Sequence, residues 1–281
     1  HEIISRGHAV CVVESESDSA IGCSSHAYAI AHPHITRGSA KLLQLTRIAF
    51  ELALARWGDQ WVHRGALHPI KNGIDFDRDA ITLQLNALGL RPEIALPVSA
   101  EEASRLAGVA RPGVWFANAG MLSLEKTTQQ QLNPCAQLTQ IKQVKIDALV
   151  REGNRWLLTD ASKNIILSAD KVIVAAGLES KKILSSIQIK LPLKPVRGQL
   201  SFFRIEPNSD WAARLPRAII CGDGYCIPAS PLENGDMRWI VGSSFDENET
   251  DNQPRHESDR FNQEQAAGLL NYAEGDQSEL M

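Results

Sequence analysis

Arg6-Gly-His-Ala-Val-Cys-Val-Val-Glu14 carries the clearest fold signal in this chain of 281 residues. Residues 1–6 have the pattern of the last turns of a helix, and Gly7 is the residue type that commonly ends one. The continuous apolar run Val10–Val13 predicts a β-strand buried on both faces, as parallel strands are. The stretch therefore predicts a helix that leads into a parallel strand, with the carboxylate of Glu14 at the end of that strand.

An acidic residue in this position is typical of a dinucleotide-binding βαβ unit, where it binds the ribose hydroxyls of the adenosine. It lies about 20 residues after a glycine-rich turn that binds the phosphates. Only 13 residues precede Glu14, and the first residue is His1 rather than Met. We therefore expect the glycine-rich turn to lie before residue 1. An apolar strand that ends in Glu is also common in other α/β proteins, so this alternative stays open.

A second apolar run, Lys171-Val-Ile-Val-Ala-Ala-Gly177, predicts the strongest of several short strands in the second half of the chain. Its last residues, Ala176 and Gly177, are small, which lets a backbone approach a ligand closely. The two runs together favour a cofactor site. The alternative for the second run is a core strand followed by a tight turn.

The remaining pattern is mixed, with parallel βα units and a later run of antiparallel strands, which predicts an α/β (α+β) fold. Ser99 and Glu102 form the sequence signature of a capping box at the start of one helix. Helical periodicity is clearest at Leu42, Leu45, Ile48, Leu52 and Ala55. Helices are predicted over 39–57, 76–89, 99–107, 122–132 and 256–272, and strands over 64–70, 113–119, 197–204, 217–221, 225–228 and 237–241.

Composition argues against several classes of protein. A net charge of −4 and a pI near 6.1 do not favour a broad nucleic-acid-binding surface. Five cysteines without a C-x-x-C pair argue against a disulfide framework or a zinc site and favour a reducing cytoplasm. His32 and His34 flank Pro33, but two ligands do not make a metal site, so none is predicted. No apolar run approaches 18 residues and no signal peptide is visible, so no membrane association is expected.

The run Gly22-Cys-Ser-Ser-His-Ala-Tyr-Ala-Ile-Ala-His-Pro33 resembles a loop of the FAD-dependent D-amino-acid and glycine oxidase family. In that family the loop G-A-S-G-x-x-x-G-x-x-x-P passes the FAD pyrophosphate and the flavin ring. Three positions match, and the sequence departs from the pattern at Ser25, His26 and Ala29, where the family usually has Gly, Asn and Gly. The resemblance implies that FAD is bound by Glu14, Gly22, Ser24, Ser25, His26, Ala176 and Gly177.

Three later segments, Pro195–Ser201, Cys221–Pro228 and Trp239–Phe245, are similar to one subfamily. That subfamily is the oxidase half of the bifunctional tRNA enzymes that make 5-methylaminomethyl-2-thiouridine, and D-G-Y-x-x-P is its most discriminating motif. The resemblance implies an antiparallel-sheet substrate domain interleaved with a Rossmann-like FAD domain. It also implies catalytic roles for Arg197 and Tyr225 and cofactor contacts for Gly198 and Gln199. A strand-end salt bridge for the arginine and a plain core position for the tyrosine are the alternatives.

The implied reaction oxidises a secondary amine, with hydride transfer from the carbon beside nitrogen to the flavin and hydrolysis of the imine. The tRNA enzyme thereby removes the carboxymethyl group from 5-carboxymethylaminomethyl-2-thiouridine. The implied partner is a modified tRNA. A small-molecule amine oxidase, acting on glycine or sarcosine, is the alternative. A fragment that binds no cofactor is the third hypothesis.

The resemblance also predicts the domain organisation. We expect the FAD-binding domain at 1–58 and 112–190, and the substrate domain at 59–111 and 191–281. The chain ends before the family's C-terminal G-x-R-P-x-x-P-D-x-x-P segment, so we expect it to be truncated at both ends and colourless, and its longer parent to be yellow. A methyltransferase domain is expected upstream only if the parent is bifunctional.

Overall fold

The structure is a computed structural model that describes residues 2–18, 21–35, 40–132 and 137–271. Predicted positions such as Ser39, Cys135 and Tyr272 lie outside the described residues. The chain divides into two compact units. Unit 1 is drawn from residues 1–28, 123–196 and 247–249, and unit 2 from residues 29–122, 197–246 and 250–281.

The helices and strands of the described residues are numbered here in chain order. The helices are α1 (Glu2–Ser5), α2 (Ala40–Trp57), α3 (Arg78–Ala87), α4 (Ala100–Ala107), α5 (Leu124–Gln131), α6 (Ser180–Ser185), α7 (Asp210–Arg214) and α8 (His256–Leu270). The strands are β1 (Val10–Val13), β2 (Ala29–Ala31), β3 (His63–Pro69), β4 (Leu96–Val98), β5 (Gly113–Leu122), β6 (Leu138–Ile141), β7 (Ala148–Glu152), β8 (Arg155–Thr159), β9 (Ile165–Ala169), β10 (Val196–Arg197), β11 (Leu200–Ile205), β12 (Ile219–Gly222), β13 (Gly224–Cys226), β14 (Ser230–Pro231), β15 (Met237–Gly242) and β16 (Asp246–Glu247).

Unit 1 contains the predicted parallel strand. β1 pairs with β6 in parallel, and Val10 lies opposite Leu138. β7, β8 and β9 form a separate antiparallel sheet. A small apolar core of Leu149, Leu158 and Ile183 joins that sheet to α6. The parallel pairing places Glu14 at the carboxyl end of β1, as the sequence predicts.

Unit 2 is built on a sheet of nine strands among the described residues. Its order is β11-β15-β13-β12-β3-β5-β2, with β14 beside β15 and β4 beside β5. β12 and β3 run parallel, whereas the other pairs are antiparallel. One face of this sheet packs on α4, α7 and α8. Members of that core include Leu67, Ile220, Trp239 and Val241.

Two tryptophans fit against this sheet only because glycine lies beneath each of them. A Cβ on Gly120 would lie 1.8 Å from the ring of Trp61, and one on Gly65 would lie 2.4 Å from the ring of Trp115. Both distances are far below any real contact. Gly65 also has φ of +94°, a conformation that only glycine adopts without strain. The two positions therefore require glycine for packing.

Local signals place the helix starts and ends correctly. The Ser99 hydroxyl accepts a hydrogen bond from the Glu102 backbone, and the Glu102 side chain accepts one from Ser99 N, which confirms the capping box. α4 ends at Gly108, which has φ of +76°. Gly7 likewise follows α1 with φ of +83°. The run Gly22–Pro33 contains a 3₁₀ turn (Gly22–Ser25) and the strand β2.

The predicted strand at 171–177 is wrong for this structure. Val172 and Val174 pack on the core of unit 1, but the side chain between them, Ile173, is 74% exposed. No backbone hydrogen bond joins 171–175 to a strand in the described part of the chain. A β-strand needs a paired neighbour, so an apolar run alone does not make one here.

The regularly spaced apolar residues of α2 do not face the core. Leu42, Leu45, Ile48 and Leu52 are 43–65% exposed. The helix is instead anchored by Phe50, which is 4% exposed and packs with Trp61 and Leu122. Periodicity therefore predicted the helix, but it did not predict which face is buried.

The compact units differ from the predicted domain ranges in four places. Residues 191–196 and 247–249 were expected in the substrate domain but belong to unit 1. Residues 29–58 and 112–122 were expected in the FAD-binding domain but belong to unit 2. The reason is that β2 and β5 pair with each other and β5 pairs with β3, so both are part of the large sheet.

Within the described residues, no helix combines the length and apolarity that a membrane crossing requires.

Candidate functional site

The predicted site residues divide between the two units, and each set is described within its own unit. Glu14 follows β1 in unit 1, where its Oε1 accepts hydrogen bonds from Ser15 Oγ at 3.2 Å and from Glu16 N at 3.2 Å. Its Oε2 accepts no hydrogen bond from the described part of the chain. The carboxylate is held by its own turn and keeps one oxygen free to accept from ribose hydroxyls.

The loop residues predicted to contact FAD form the 3₁₀ turn at Gly22–Ser25, with His26 as its C-terminal residue. Ser25 Oγ closes the turn by donating to Gly22 O at 2.7 Å. Gly22 has φ of +66°, and a Cβ built on it would meet nothing within 4 Å. Ser24 and His26 are half-buried. The turn therefore offers polar atoms beside open space.

Ala176 and Gly177 are exposed and lie at the start of a second 3₁₀ turn. Gly177 has φ of +54°, and a Cβ there would also meet no atom within 4 Å. The backbone N–H of Ala176 donates a hydrogen bond to the Ser180 hydroxyl at 3.0 Å. A free carboxylate oxygen and two glycines with open space fit the ribose and phosphates of a dinucleotide. The unit 1 residues therefore fit FAD.

Arg197 in unit 2 is 7% exposed, and its guanidinium is committed to protein groups. Nη1 donates to Asp246 Oδ2 at 2.9 Å and to Ser258 Oγ at 3.1 Å. Nη2 donates to Gln199 Oε1 and to Gln253 O, both at 2.6 Å. Nε is buried without a partner in the described residues. No N–H of this arginine is left exposed to a substrate carboxylate.

Gln199 is 9% exposed, and its side-chain amide is equally occupied. Oε1 accepts from Arg197 Nη2 and from Arg255 N at 2.8 Å. Nε2 donates to Arg255 O at 2.9 Å and to Asp259 Oδ1 at 2.7 Å. Both acceptor and both donor positions of the amide are therefore used within the protein. The neighbouring Gly198 is exposed and packs near Ser244 O, 3.4 Å from a Cβ built on it.

Tyr225 lies on β13 opposite Cys221 of β12 and Gly242 of β15, so the three share one face of the large sheet. This face is opposite the one that packs on α8, because Cys226, the next residue, belongs to that core. Burial, with a smaller contribution from Cys221, raises the pKa of the Tyr225 hydroxyl to about 12. The phenol therefore stays protonated and remains a hydrogen-bond donor at neutral pH.

Three histidines of unit 2 form a cluster that the sequence did not reveal. His32 and His34 have ring centroids 5.5 Å apart, and His32 lies 5.9 Å from the ring of Phe116. Burial lowers the pKa of His68 to about 4, and the nearby His32 contributes to that shift. The spacing of His32 and His34 was visible in the sequence, but no signal linked His68 to them. No group of described residues has the ligands of a metal site.

Comparison with known proteins identifies the family. The family model of FAD-dependent oxidoreductases (DAO) matches residues 1–275. The tRNA 5-methylaminomethyl-2-thiouridine biosynthesis bifunctional protein MnmC of Ralstonia nicotianae is 31% identical over 276 residues, covering 95% of this chain and 41% of that protein. The protein of the same name from Burkholderia mallei is 30% identical over 278 residues, covering 95% and 40%. The chain thus spans about two fifths of the length of these relatives.

Solved structures agree on the fold. Glycine oxidase from Geobacillus kaustophilus superposes with a TM-score of 0.72 at 15% identity, covering 99% of this chain and 75% of that one. Glycine oxidase from Bacillus cereus gives 0.70 at 18% identity, covering 96% and 76%. The family match over nearly the whole chain, together with this mixed α/β fold, establishes that the chain belongs to the FAD-dependent oxidoreductases.

Proposed function

We propose that this chain is the oxidase part of a tRNA-modifying enzyme. It removes the carboxymethyl group of 5-carboxymethylaminomethyl-2-thiouridine at the wobble position by oxidising the secondary amine. The observation that carries the proposal is the 31% identity to a bifunctional tRNA 5-methylaminomethyl-2-thiouridine biosynthesis protein over 95% of this chain. The motif Asp223-Gly-Tyr-Cys-Ile-Pro228, which begins at the turn after β12 and includes β13, supports the same assignment.

A second candidate is a small-molecule amine oxidase that acts on glycine or sarcosine. The favouring observation is the fold similarity to two glycine oxidases, with TM-scores of 0.70 and 0.72. Identities of 18% and 15% carry the fold and not the substrate. The tRNA substrate is therefore the first proposal and the small amine the second.

Unit 1 holds FAD in this proposal, through Glu14 at the ribose, the turn at Gly22–Ser25 with His26, and the open backbone at Ala176 and Gly177. When bound, FAD supplies the two-electron oxidation by accepting hydride from the carbon beside the amine nitrogen. The protein contributes binding and orientation. Glu14 is suited to its part because its free oxygen accepts from a hydroxyl without losing the bonds that hold the side chain.

Unit 2 contributes the substrate side. Tyr225 donates a hydrogen bond from a phenol that stays protonated, since burial raises its pKa to about 12. To bind a substrate carboxylate, Arg197 would have to exchange its bonds to Asp246, Ser258, Gln199 and Gln253. We therefore assign Arg197 and Gln199 a positioning role: they hold the start of α8 against β10 and β11. Gly198 lies between them.

The proposal extends to the partners of the complete gene product. A modified tRNA is the substrate, and the location is the cytoplasm. The relatives are bifunctional by name, and a methyltransferase is the second domain that we propose for the complete gene product. The intact mass of that product tests the last point.

The test compares the two substrates on the FAD-reconstituted gene product. One arm supplies tRNA that carries 5-carboxymethylaminomethyl-2-thiouridine and measures the aminomethyl nucleoside by mass spectrometry. The other arm supplies glycine or sarcosine and measures peroxide. We expect conversion of the tRNA nucleoside and no peroxide. Two results together would overturn the tRNA assignment: peroxide release from glycine or sarcosine, and no conversion of the tRNA nucleoside.

A further inference from the structure

The helix α2 carries apolar side chains on two opposite faces. The face that packs within unit 2 is centred on Phe50, which is 4% exposed and lies in a core with Trp61 and Leu122. An α-helix turns by about 100° per residue, so side chains two or five positions from Phe50 lie within about 40° of the opposite side. These positions form the outer face of α2, and their residues are Leu45, Ile48, Leu52 and Ala55.

The outer face of α2 is open to solvent. Leu45 is 63%, Ile48 43% and Leu52 65% exposed, and Ala55 is exposed as well. A helix that is apolar on both sides is normally buried on both sides. Contiguous exposed apolar surface on a soluble protein commonly marks an interaction site. The pattern therefore indicates a second contact that covers this face.

The spacing of the outer face suits a second helix. Its four residues follow one another at intervals of three, four and three, which is the spacing of the seam along which two helices pack. Two exposed charges border the seam. Lys41 lies about one turn before Leu45, and Glu51 lies beside Leu52. A matching helix therefore presents apolar residues along the seam, an acidic group towards Lys41 and a basic group towards Glu51.

A second copy of α2 is a poor partner for this face. In a parallel pair every residue meets its own copy, so Lys41 faces a lysine and Glu51 faces a glutamate. In an antiparallel pair that matches Ile48 with Leu52, the two copies of Glu51 lie beside each other at the two-fold axis. Like charges are destabilising in both arrangements. A seam of four side chains is also far smaller than the roughly 20–30 residues a side of a stable interface between separate molecules.

A contact within one polypeptide does not need such an area. Linked segments meet at a high effective concentration, so a short seam is enough to hold them together. The chain spans about two fifths of the length of its bifunctional relatives, so about three fifths of each relative has no counterpart in it. A region of that length supplies helices in the same polypeptide.

We propose that the outer face of α2 is covered by an amphipathic helix from the part of the complete gene product that lies outside these 281 residues. The inference rests on the proposed function, because it takes the complete gene product to be as long as the bifunctional relatives. The covering helix packs apolar side chains along the seam and pairs its charges with Lys41 and Glu51. The contact holds unit 2 to that part of the gene product.

The accessibility of the outer face in the complete gene product tests the proposal. Leu45→Cys and Leu52→Cys place a thiol on this face, and Leu83→Cys places one on α3, where the leucine is 72% exposed. Peptide mass spectrometry measures maleimide labelling of each new cysteine in the native product and in urea. At positions 45 and 52 we expect labelling at least about tenfold slower in the native product, because a covered side chain reacts only when its contact opens.

The control Leu83→Cys should react in the native product at nearly its rate in urea. Native labelling at positions 45 and 52 as fast as in urea would overturn the proposal. Slow labelling that becomes fast on dilution would assign the face to a second copy and overturn the proposed occupant.

Cross-linking identifies the covering segment. A carbodiimide joins a lysine amine to a carboxylate in contact with it, so Lys41 and Glu51 report on the groups opposite them. In the monomeric product we expect mass spectrometry to find both joined to residues outside these 281. Cross-links from Lys41 and Glu51 only to residues within the 281 would overturn the proposed occupant. Absence of any cross-link from either residue would overturn the charge pairing.

The contact and the proposed function fail separately. A product that converts modified tRNA, and whose outer face labels as fast as in urea, keeps the function and loses the contact. A product with a covered face that leaves the tRNA nucleoside unchanged keeps the contact and loses the function. An intact mass equal to that of this chain, 30.9 kDa, would leave no covering segment and would overturn the contact.

Discussion

Arg197 illustrates what a motif can and cannot predict at the scale of a residue. The sequence P-V-R-G-Q marked this arginine and Gln199 as important, and both are buried. The contacts that give them their arrangement come from Asp246, Gln253 and Ser258, which lie about 50–60 positions later in the chain. Spacing along the sequence carries no information on contacts at that separation, so the network appears only in the fold.

Arg197→Lys should destabilise the chain by about 3 kcal/mol. An ammonium is a compact point charge and cannot span the four acceptors that the guanidinium reaches, so at least one buried hydrogen bond to a charged group is lost. Urea unfolding followed by circular dichroism measures the change. The control is Arg6→Lys at an exposed ion pair with Glu2, expected to change stability by less than about 0.5 kcal/mol. Equal effects of the two substitutions would contradict the buried network.

His68 should make the stability of the chain depend on pH. Its folded pKa is about 4, below the ordinary 6.5, chiefly because burial disfavours the charged ring. Between these values the unfolded chain binds more protons, so the free energy of unfolding falls as pH falls from 6.5 to 4. The contribution is fully present above pH 6.5, and its loss approaches about 3 kcal/mol near pH 4.

His68→Gln removes this titration. As the pH falls from 6.5 to 4, we expect the urea midpoint of this variant to fall less than that of the parent chain. Above pH 7, this histidine should contribute no pH dependence to either midpoint. His8→Gln, at an exposed histidine, provides the control. If the urea midpoints of the parent chain and of His68→Gln changed in parallel with pH, the pKa of His68 would not be lowered in the folded chain.

At the scale of elements, pattern predicts the type of an element better than its partners. The capping box at Ser99 and Glu102 predicted the start of α4 to the residue, because both hydrogen bonds are local. The run 171–177 has the composition of a strand but no backbone neighbour in the described structure. α2 has a clear helical period, yet its regular stripe is exposed. Pairing and burial depend on distant segments, which a local pattern does not include.

The two sides of α2 provide a direct test of this arrangement. Phe50→Ala should cost about 3–5 kcal/mol, because the ring is 4% exposed and packs 6.2 Å from the ring of Trp61. Leu45→Ala, on the same helix at 63% exposure, should change stability by less than about 0.5 kcal/mol. Chemical unfolding of the two variants measures the difference. A larger cost at Leu45 than at Phe50 would mean that the stripe faces the core.

At the scale of the whole molecule, the sequence predicted the family and the mixed fold class, and the comparisons confirm both. Glu14 at the end of a parallel strand and the Gly22 turn were recognisable because their chemistry depends on a few consecutive residues. The histidine cluster was not, since β3, the segment after β2 and the turn at Asp223 meet only through the order of the large sheet. The compact units differ from the predicted domain ranges at β2 and β5 for the same reason, because these strands pair within the large sheet.

The absorbance spectrum of the complete gene product, purified and then dialysed with FAD, tests the central claim most directly. The family assignment and the open space beside Gly22 and Gly177 predict a yellow protein whose flavin bands persist after free FAD is removed. A colourless protein with native circular dichroism would contradict the claim that this chain belongs to a FAD-dependent oxidoreductase that binds its cofactor.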